Sequence, residues 1–300
     1  MNRSLLFRLV AGLVLGAVTA ATASCASPSQ AGTPAATHTA RLDPSLHALL
    51  PEPVRQRKVL RIGTDASYAP MSSFGPDGRT IIGLEPDLAD DLGRVLGVRV
   101  RFVNTDFTDL IPQVAHGDLD LAMSAMTDTP ARARVVDFVD YFSAGTAIVV
   151  QRGNPSGVTD IQDLCGRAVA VEKGTIQVDL LRRAQDNCTA DHIEVRTYRT
   201  NSDALVQLRT GRVVAVLNDL PPAAFLVNDP STTSHYQLAS TTQYEPGLYG
   251  IAVRRGQSGL RDAVQGACEK LLRSGDYARD LGTWGVRNGA VDRISIDADR

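Results

Sequence analysis

Between residues 58 and 122 the chain alternates short apolar–polar stretches with amphipathic helical ones, and few folds accommodate that alternation. Residues 58–63, KVLRIG, have the period-two pattern of a strand, and residues 64–70 leave it as a loop. Pro76-Asp77-Gly78 marks a turn, so 58–82 reads as strand, loop and hairpin. A helix is predicted over 85–96, with Leu84, Leu88, Leu92, Val95 and Leu96 on one face and Gly97 ending it. A strand at 98–103, a helix at 107–116 and a strand beginning at 118–122 follow. Alternating strands and helices imply a mainly parallel sheet covered on both faces. Ligands of such sheets sit beyond the carboxyl ends of the strands, which places the loops 64–70 and 124–132 at the binding edge.

Beyond Ser143 the pattern restarts. Strands are predicted at 147–150, 168–171, 193–198 and 213–217, with helices at 161–165, 177–184 and 202–209 between them. Asn218-Asp219 then opens onto Pro221-Pro222 and a further helix, followed by a strand at 249–253 and terminal helices at 260–274 and 277–284. Two such sets in 300 residues imply two lobes, each with its own core, although no internal sequence repeat relates them.

Within the first set, Ala125-Met126-Thr127-Asp128-Thr129-Pro130-Ala131-Arg132 ends an apolar run in hydroxyl residues and then starts a helical turn. Threonine hydroxyls, free N–H groups near a helix start and a guanidinium can converge on one carboxylate. Asp219 reads equally as a helix cap or as a partner for an ammonium, and Thr175 equally as a cap or an anion ligand. Tyr68 beside Pro70 either closes a loop or covers a ligand, and Phe107 either staples a helix start or does the same.

The N-terminus is a separate object. Arg3 and Arg8 bracket the start of an apolar stretch, 5–21, followed by small residues, which reads as a secretion signal over 1–24. Thr22-Ala23-Ser24-Cys25 resembles a lipobox in which Cys25 becomes the lipidated first residue, although Thr22 stands where leucine is preferred. Ala21-Thr22-Ala23 is itself a cleavage pattern, so simple secretion is the second reading. Residues from Ala26 to about Arg41 are mostly Ala, Ser, Thr, Pro and Gly and cannot bury a core; with its flanks, 25–57 is expected to be a lipid-anchored flexible tether. The chain is thus expected outside the cell, anchored to the outer face of the membrane as a lipoprotein.

If Cys25 carries lipid, Cys165 and Cys188 are the expected disulfide pair and Cys268 a buried thiol. No cysteine pair has metal-ligand spacing, and His38, His47, His116, His192 and His235 are scattered, so neither a metal nor a cofactor is expected. A formal net charge of −2 with 5% aromatic residues lacks the basic, stacking footprint of a nucleic-acid binder.

Across residues 58–285 the ordered motifs resemble the bacterial extracellular solute-binding proteins that deliver polar amino acids to ABC importers. The resemblance rests on Leu60-Arg61-Ile62-Gly63 with Tyr68-Ala69-Pro70, Gly83-Leu84-Glu85-Pro86-Asp87-Leu88, Phe107 with Leu110-Ile111-Pro112, and Gly117-Asp118-Leu119-Asp120. Thr129-Pro130-Ala131-Arg132, Val169-Ala170-Val171 with Gly174-Thr175, Asn218-Asp219-Leu220-Pro221, and Tyr277 with Trp284-Gly285 continue it. It implies an α/β, periplasmic-binding-protein-like type II fold with two lobes joined by a two-strand hinge: lobe 1 from 58–144 plus 246–300, lobe 2 from 145–245.

The resemblance also implies a ligand between the lobes. Arg132 would hold its carboxylate, helped by Thr127 and Thr175; Asp219 and the Ala125 carbonyl would meet its ammonium; Tyr68 and Phe107 would cover its side chain. Glu85 and Asp87 would be structural. Family members commonly have glycine at the position of Ala125, and small or apolar residues at that of Asn218, so Asn218 is expected to reach the ligand's side chain. That residue, with no evident extra acid at the matched positions, leans toward a neutral polar ligand. The Cys165–Cys188 pair resembles an added staple of some actinobacterial members.

The expected function is a monomeric binding protein, not an enzyme, with a free amino acid, a membrane permease and the membrane as partners. A dehydratase acting on prephenate or arogenate is the alternative on the same scaffold, with Glu172 and Glu245 as the acids to test; an amino-acid sensor module is a third reading.

Overall fold

The computed structural model describes residues 39–189 and 191–298. The predicted signal segment, Cys25 and the tether up to residue 38 lie outside the described residues. Lobe 1 begins with α1 (Pro44–Leu49) and α2 (Glu52–Arg57) and continues through β1 (Val59–Thr64), a small antiparallel sheet of β2 (Ser67–Tyr68), β3 (Ser72–Phe74) and β4 (Ile81–Ile82), then α3 (Leu84–Leu96), β5 (Arg99–Asn104), α4 (Phe107–His116) and β6 (Leu121–Ala122). The strand β7 (Val136–Gln151) leads into lobe 2, which holds β8 (Ala168–Glu172), α5 (Ile176–Ala184), β9 (Glu194–Tyr198), α6 (Asn201–Arg209), β10 (Ala215–Asp219), α7 (Leu220–Asn228) and β11 (Tyr236–Leu238). Lobe 1 is then completed by β12 (Tyr244–Arg254), α8 (Ser258–Ser274), α9 (Asp276–Thr283) and β13 (Ser295–Ile296).

One ten-stranded sheet runs through both lobes in the order β5-β1-β6-β12-β7-β10-β8-β9, with β11 and β13 paired to β7. In lobe 1, β5, β1 and β6 are parallel and β12 is antiparallel to β6; in lobe 2, β9, β8 and β10 are parallel and β7 is antiparallel to β10. The paired strands β7 and β12 connect the lobes. Helices cover both faces. In lobe 1, Leu60 and Ile62 of β1 pack with Leu84, Leu88 and Leu92 of α3 on one side. On the other, Leu110 and Val114 of α4 pack with Phe138. Lobe 2 has two further clusters, around Val169, Val171 and Leu181, and around Ala170, Leu208 and Val216.

Three differences from the sequence reading have physical reasons. Residues 44–57 are helical rather than part of a tether. Asp43 caps α1 by accepting from the Ser45 N–H at 2.9 Å, its carboxylate meets Lys270 at 2.6 Å, and Leu50 and Val54 are buried in the lobe 1 core. Second, the strand predicted at 147–150 is the end of β7, which runs 16 residues almost wholly buried. A strand covered on both sides loses the alternation that reveals a half-buried one, and Asp137 and Asp140 interrupt its apolar run. Asp140 accepts from Ser295 Oγ and the Ala298 N–H, both at 3.1 Å, so the C-terminal segment satisfies a charge buried in the central strand. Third, the short strands β11 and β13 were not foreseen.

At the start of α3, Gly83 has a φ of 144°, and a Cβ there would lie 2.1 Å from the Met71 carbonyl oxygen. Only glycine lets the helix begin that close to the preceding loop. Parallel pairing aligns the carboxyl ends of β1 and β5, Thr64 opposite Asn104, and of β8 and β9, Glu172 opposite Tyr198. The loops that leave these ends build the site.

Candidate functional site

At the carboxyl edge of the sheet the two lobes enclose a narrow cavity. Seven of the eight residues expected at a ligand site line it: Tyr68, Phe107, Ala125, Thr127, Arg132, Thr175 and Asp219. Asn218 does not. Neighbouring residues of a strand point to opposite faces, so with Asp219 in the cavity Asn218 is directed away from it, into a separate cleft with Leu205 and Phe225.

Arg132 opens a single 3₁₀ turn, Arg132–Arg134, and its N–H donates to Thr129 Oγ1 at 3.3 Å. Its guanidinium donates through Nη1 to the Thr127 carbonyl at 2.7 Å and through Nη2 to the Gly174 carbonyl of lobe 2 at 3.0 Å. The ring of Phe107 lies 5.3 Å from its central carbon, within cation–π range. Burial holds the group down to about 10, against the pull of Asp219, Asp179 and Asp128, so it stays charged at neutral pH. A guanidinium carries five N–H donors, and these contacts engage two.

The loop ahead of Arg132 is fixed from behind. Ala125 has a φ of 46°, uncommon for a residue with a Cβ. Its N–H donates to Glu85 Oε1 at 2.5 Å, and the same carboxylate accepts from Tyr141 at 2.5 Å and Ser72 at 2.6 Å. Burial raises the Glu85 carboxyl, and these hydrogen bonds oppose it. Asp87 accepts from the Trp284 indole at 2.7 Å, joining α3 to the end of α9. Both acids are thus structural, as the family resemblance implies.

Across the cavity, Asp219 ends β10. Its side chain does not cap α7. Instead Oδ1 accepts from Gln177 Nε2 at 2.7 Å and Oδ2 from the Tyr68 hydroxyl at 3.2 Å, while its N–H donates to that hydroxyl at 2.8 Å. The Tyr249 hydroxyl approaches without meeting hydrogen-bond geometry. Burial pushes the carboxyl up to about 6, with Tyr249, Tyr68, Gln177 and the Arg132 charge opposing. Thr175 makes no capping bond and donates instead to the Glu172 carbonyl at 2.8 Å. Thr175, Ile176 and Gln177 line the cavity at the start of α5, where the first N–H groups of a helix have no partner within it.

Asp65, Ser124, Glu172, Ile176 and Gln177 complete the lining, and sequence reasoning had not placed them there. Asp65 lies in the loop already assigned to the binding edge, three residues before Tyr68, and that position was the available signal. Glu172 had been weighed only as a catalytic acid. Its counterpart in that reading, Glu245, is outside the cavity and pairs with Arg183. The lean toward a neutral ligand rested on Asn218 and on a lack of further acids; with Asn218 elsewhere and two more carboxylates in the cavity, neither ground holds.

A sequence profile of the bacterial extracellular solute-binding proteins, family 3, matches residues 60–287. The chain belongs to that family. It is similar to the arginine-binding protein ArgT of Corynebacterium glutamicum, 30% identical over 92% of this chain and 90% of that protein. Among solved structures it is similar to an ancestral arginine-binding protein bound to arginine, with a TM-score of 0.70 and 32% identity over 76% of this chain and 98% of that one. It is equally similar to the ancestral amino acid-binding protein AncCDT-1, a precursor of cyclohexadienyl dehydratase, with a TM-score of 0.70 and 30% identity over 79% of this chain and 99% of that one. The fold is accordingly the type II periplasmic-binding fold, and the family's role is to bind polar amino acids for ABC transporters.

The disulfide expected between Cys165 and Cys188 is present, with Cα atoms 5.6 Å apart, and Cys268 is a buried free thiol. Among the described residues no helix is long and apolar enough to cross a membrane, and no group of three His, Cys, Asp or Glu side chains is placed to hold a metal ion.

Proposed function

We propose that the chain captures a free polar amino acid between its lobes and hands it to the permease of an ABC importer, without altering it chemically. The observation that carries this reading is the opposition of Arg132 and Asp219 across one cavity, each reached from a different lobe. A zwitterion offers a carboxylate for the first and an ammonium for the second. The carboxylate fits the remaining guanidinium donors, the Thr127 hydroxyl and the N–H groups at the start of α5; the ammonium fits Asp219 and the Ala125 carbonyl. Each charge-assisted bond contributes about 1.5–3 kcal/mol, so a few of them reach the roughly −8 kcal/mol of micromolar binding. Closure of lobe 2 over lobe 1, bending at β7 and β12, would shed water and strengthen these bonds. In this reading the chain is a monomeric lipoprotein, secreted and held at the membrane through Cys25.

Isothermal titration of the purified chain against the common amino acids is the test. One site of micromolar or tighter affinity is expected, weakened about 100-fold or more by Arg132→Ala, the loss of roughly two charge-assisted bonds. Unchanged affinity in that variant would show the clamp to be misassigned.

One observation favours a second reading, catalysis. Glu172 is a buried acid raised to about 9, a protonated group facing a ligand cavity, and the scaffold resembles a dehydratase precursor. Incubation with prephenate or arogenate tests it, and conversion of either would replace transport by an enzyme function.

A further inference from the structure

The cleft that receives Asn218 is separate from the amino-acid cavity and has walls from both lobes. α6, α7 and the end of β10 form its lobe 2 side, and β2 and β3 its lobe 1 side. Asn218 is 2% exposed and Asn201, the first residue of α6, is 4% exposed, and both line the cleft. Among the described residues Asn218 Nδ2 meets no acceptor and Asn201 Oδ1 meets no donor. Ser67 Oγ, on β2, is buried at the same cleft and is likewise unmet. A buried polar atom without a partner weakens the fold that carries it. Here a donor, an acceptor and a hydroxyl of that kind converge on one opening.

Apolar side chains surround them. Phe74 of β3, Val206 of α6 and Phe225 of α7 are 46%, 41% and 38% exposed, and all three line this cleft. A single exposed apolar residue needs no explanation, but a group gathered at one opening marks an interaction site. Arg209 and Asp229 line it too, one charge of each sign, and Asp229 already accepts from the Ser231 N–H at 2.8 Å. The cleft therefore has no net charge with which to attract an ion.

We infer that this cleft is a second binding site, for a short, uncharged, extended peptide segment carrying an apolar side chain. A backbone amide supplies what the buried atoms lack, a carbonyl for Asn218 Nδ2 and an N–H for Asn201 Oδ1, while the Ser67 hydroxyl serves either. An extended segment turns successive side chains to opposite sides, so one of them enters among Phe74, Val206 and Phe225. The site goes beyond the amino-acid reading, since such a segment uses neither Arg132 nor Asp219.

Each unmet group also backs onto the amino-acid cavity. Asn218 precedes Asp219 on β10, the Asn201 N–H donates to the Glu172 carboxylate, and the Ser67 N–H donates to Asp65 Oδ1 at 3.0 Å. Asp219, Glu172 and Asp65 all line that cavity. A segment that joins Ser67 to Asn201 and Asn218 ties lobe 1 to lobe 2 and favours their closed arrangement. The two sites are then occupied together rather than in competition.

The test is titration of the purified full chain with acetyl-Gly-Leu-Phe-Gly-amide, followed by calorimetry and by ligand-detected NMR. Its blocked ends offer no ammonium or carboxylate to Asp219 or Arg132. Saturable binding at about 1 mM or tighter is expected, and it should persist or tighten in excess arginine. Asn218→Leu is expected to weaken the peptide about tenfold without lowering the melting temperature, because it removes a donor that the free fold leaves unmet. Phe225→Ala, at a partly exposed position, should weaken it by a similar factor and gives an independent measurement. No saturable binding up to about 10 mM would overturn the site, as would undiminished binding in both variants. Displacement of the peptide by arginine would overturn it by placing the peptide in the amino-acid cavity. Equal binding of acetyl-Gly-Lys-Glu-Gly-amide would overturn it as well, since the cleft would then not select an apolar segment.

Discussion

The Tyr68 hydroxyl accepts the Asp219 N–H at 2.8 Å across 151 residues of sequence, and donates to that residue's carboxylate at 3.2 Å. A side chain from a two-residue strand of lobe 1 thus holds the backbone and the acid of lobe 2 together. Opening the cleft at this point would break both bonds.

Tyr68→Phe keeps the ring over the ligand and removes only the hydroxyl. Asp219 then loses one of the hydrogen bonds that oppose its burial, so its carboxyl should rise above about 6. Ligand affinity is expected to fall about tenfold, with a stability loss of about 1–2 kcal/mol. A pH series of titrations checks both: the acid limb of the affinity profile should move to higher pH, and an unmoved limb would contradict the pairing.

The protein without ligand should lose stability as pH rises. Glu172 goes from 4.5 to about 9 and Asp219 from 3.8 to about 6, and each favours the folded state only while protonated. Their contribution is complete below about 4, falls through about 6 as Asp219 ionises, and is lost through about 9 as Glu172 follows. Thermal unfolding at constant ionic strength should show the melting temperature declining over this window. Glu172→Gln should flatten the part above pH 6; an identical slope in the variant would refute the assignment.

Glu85 accepts three hydrogen bonds, two of them on one oxygen. Glutamine can keep the Ala125 and Tyr141 bonds on its carbonyl and donate its amide to Ser72, whereas alanine leaves all three donors unmet. Glu85→Ala should therefore cost about 3 kcal/mol or more and weaken ligand binding, while Glu85→Gln stays within about 1 kcal/mol of the parent. Urea unfolding of both variants gives the comparison, and equal losses would mean that the buried charge itself is required.

The Cys165–Cys188 bridge closes a 23-residue separation and lies beyond the end of α5 opposite Thr175–Gln177. Replacing both cysteines with serine should lower stability by about 3 kcal/mol in the chain-entropy account. Affinity should change by less than about threefold, since neither cysteine lines the cavity. A larger loss of affinity, read by titration well below the melting temperature, would show that the bridge shapes the site.

Arg132, Asp219 and Tyr68 were legible in the sequence because each falls at or beyond the carboxyl end of a strand, where the fold collects ligand residues. Asn218 shows the limit of that logic: one step along β10 reverses the face, and position in a motif does not reveal it. Asp65, Glu172 and Gln177 were missed for another reason. Their meaning comes from convergence across two lobes, and each alone is an ordinary loop, strand-end or helix-start residue. α1 and α2 escaped because six-residue helices give too little periodicity, and β7 because burial on both sides erases it.

Both described ends of the chain are fastened to lobe 1. The Thr39 hydroxyl and N–H reach Asp276 at 2.5 and 3.1 Å, and β13 pairs with β7 at Asp140. Lobe 2 is therefore a cassette, leaving and rejoining its host through neighbouring strands at Ala144 and Gly247. Cutting at that pair would exchange Glu172 and Asp219 together, and leave behind the arginine that grips the carboxylate. Solute preference could then be recombined by moving one contiguous stretch of gene.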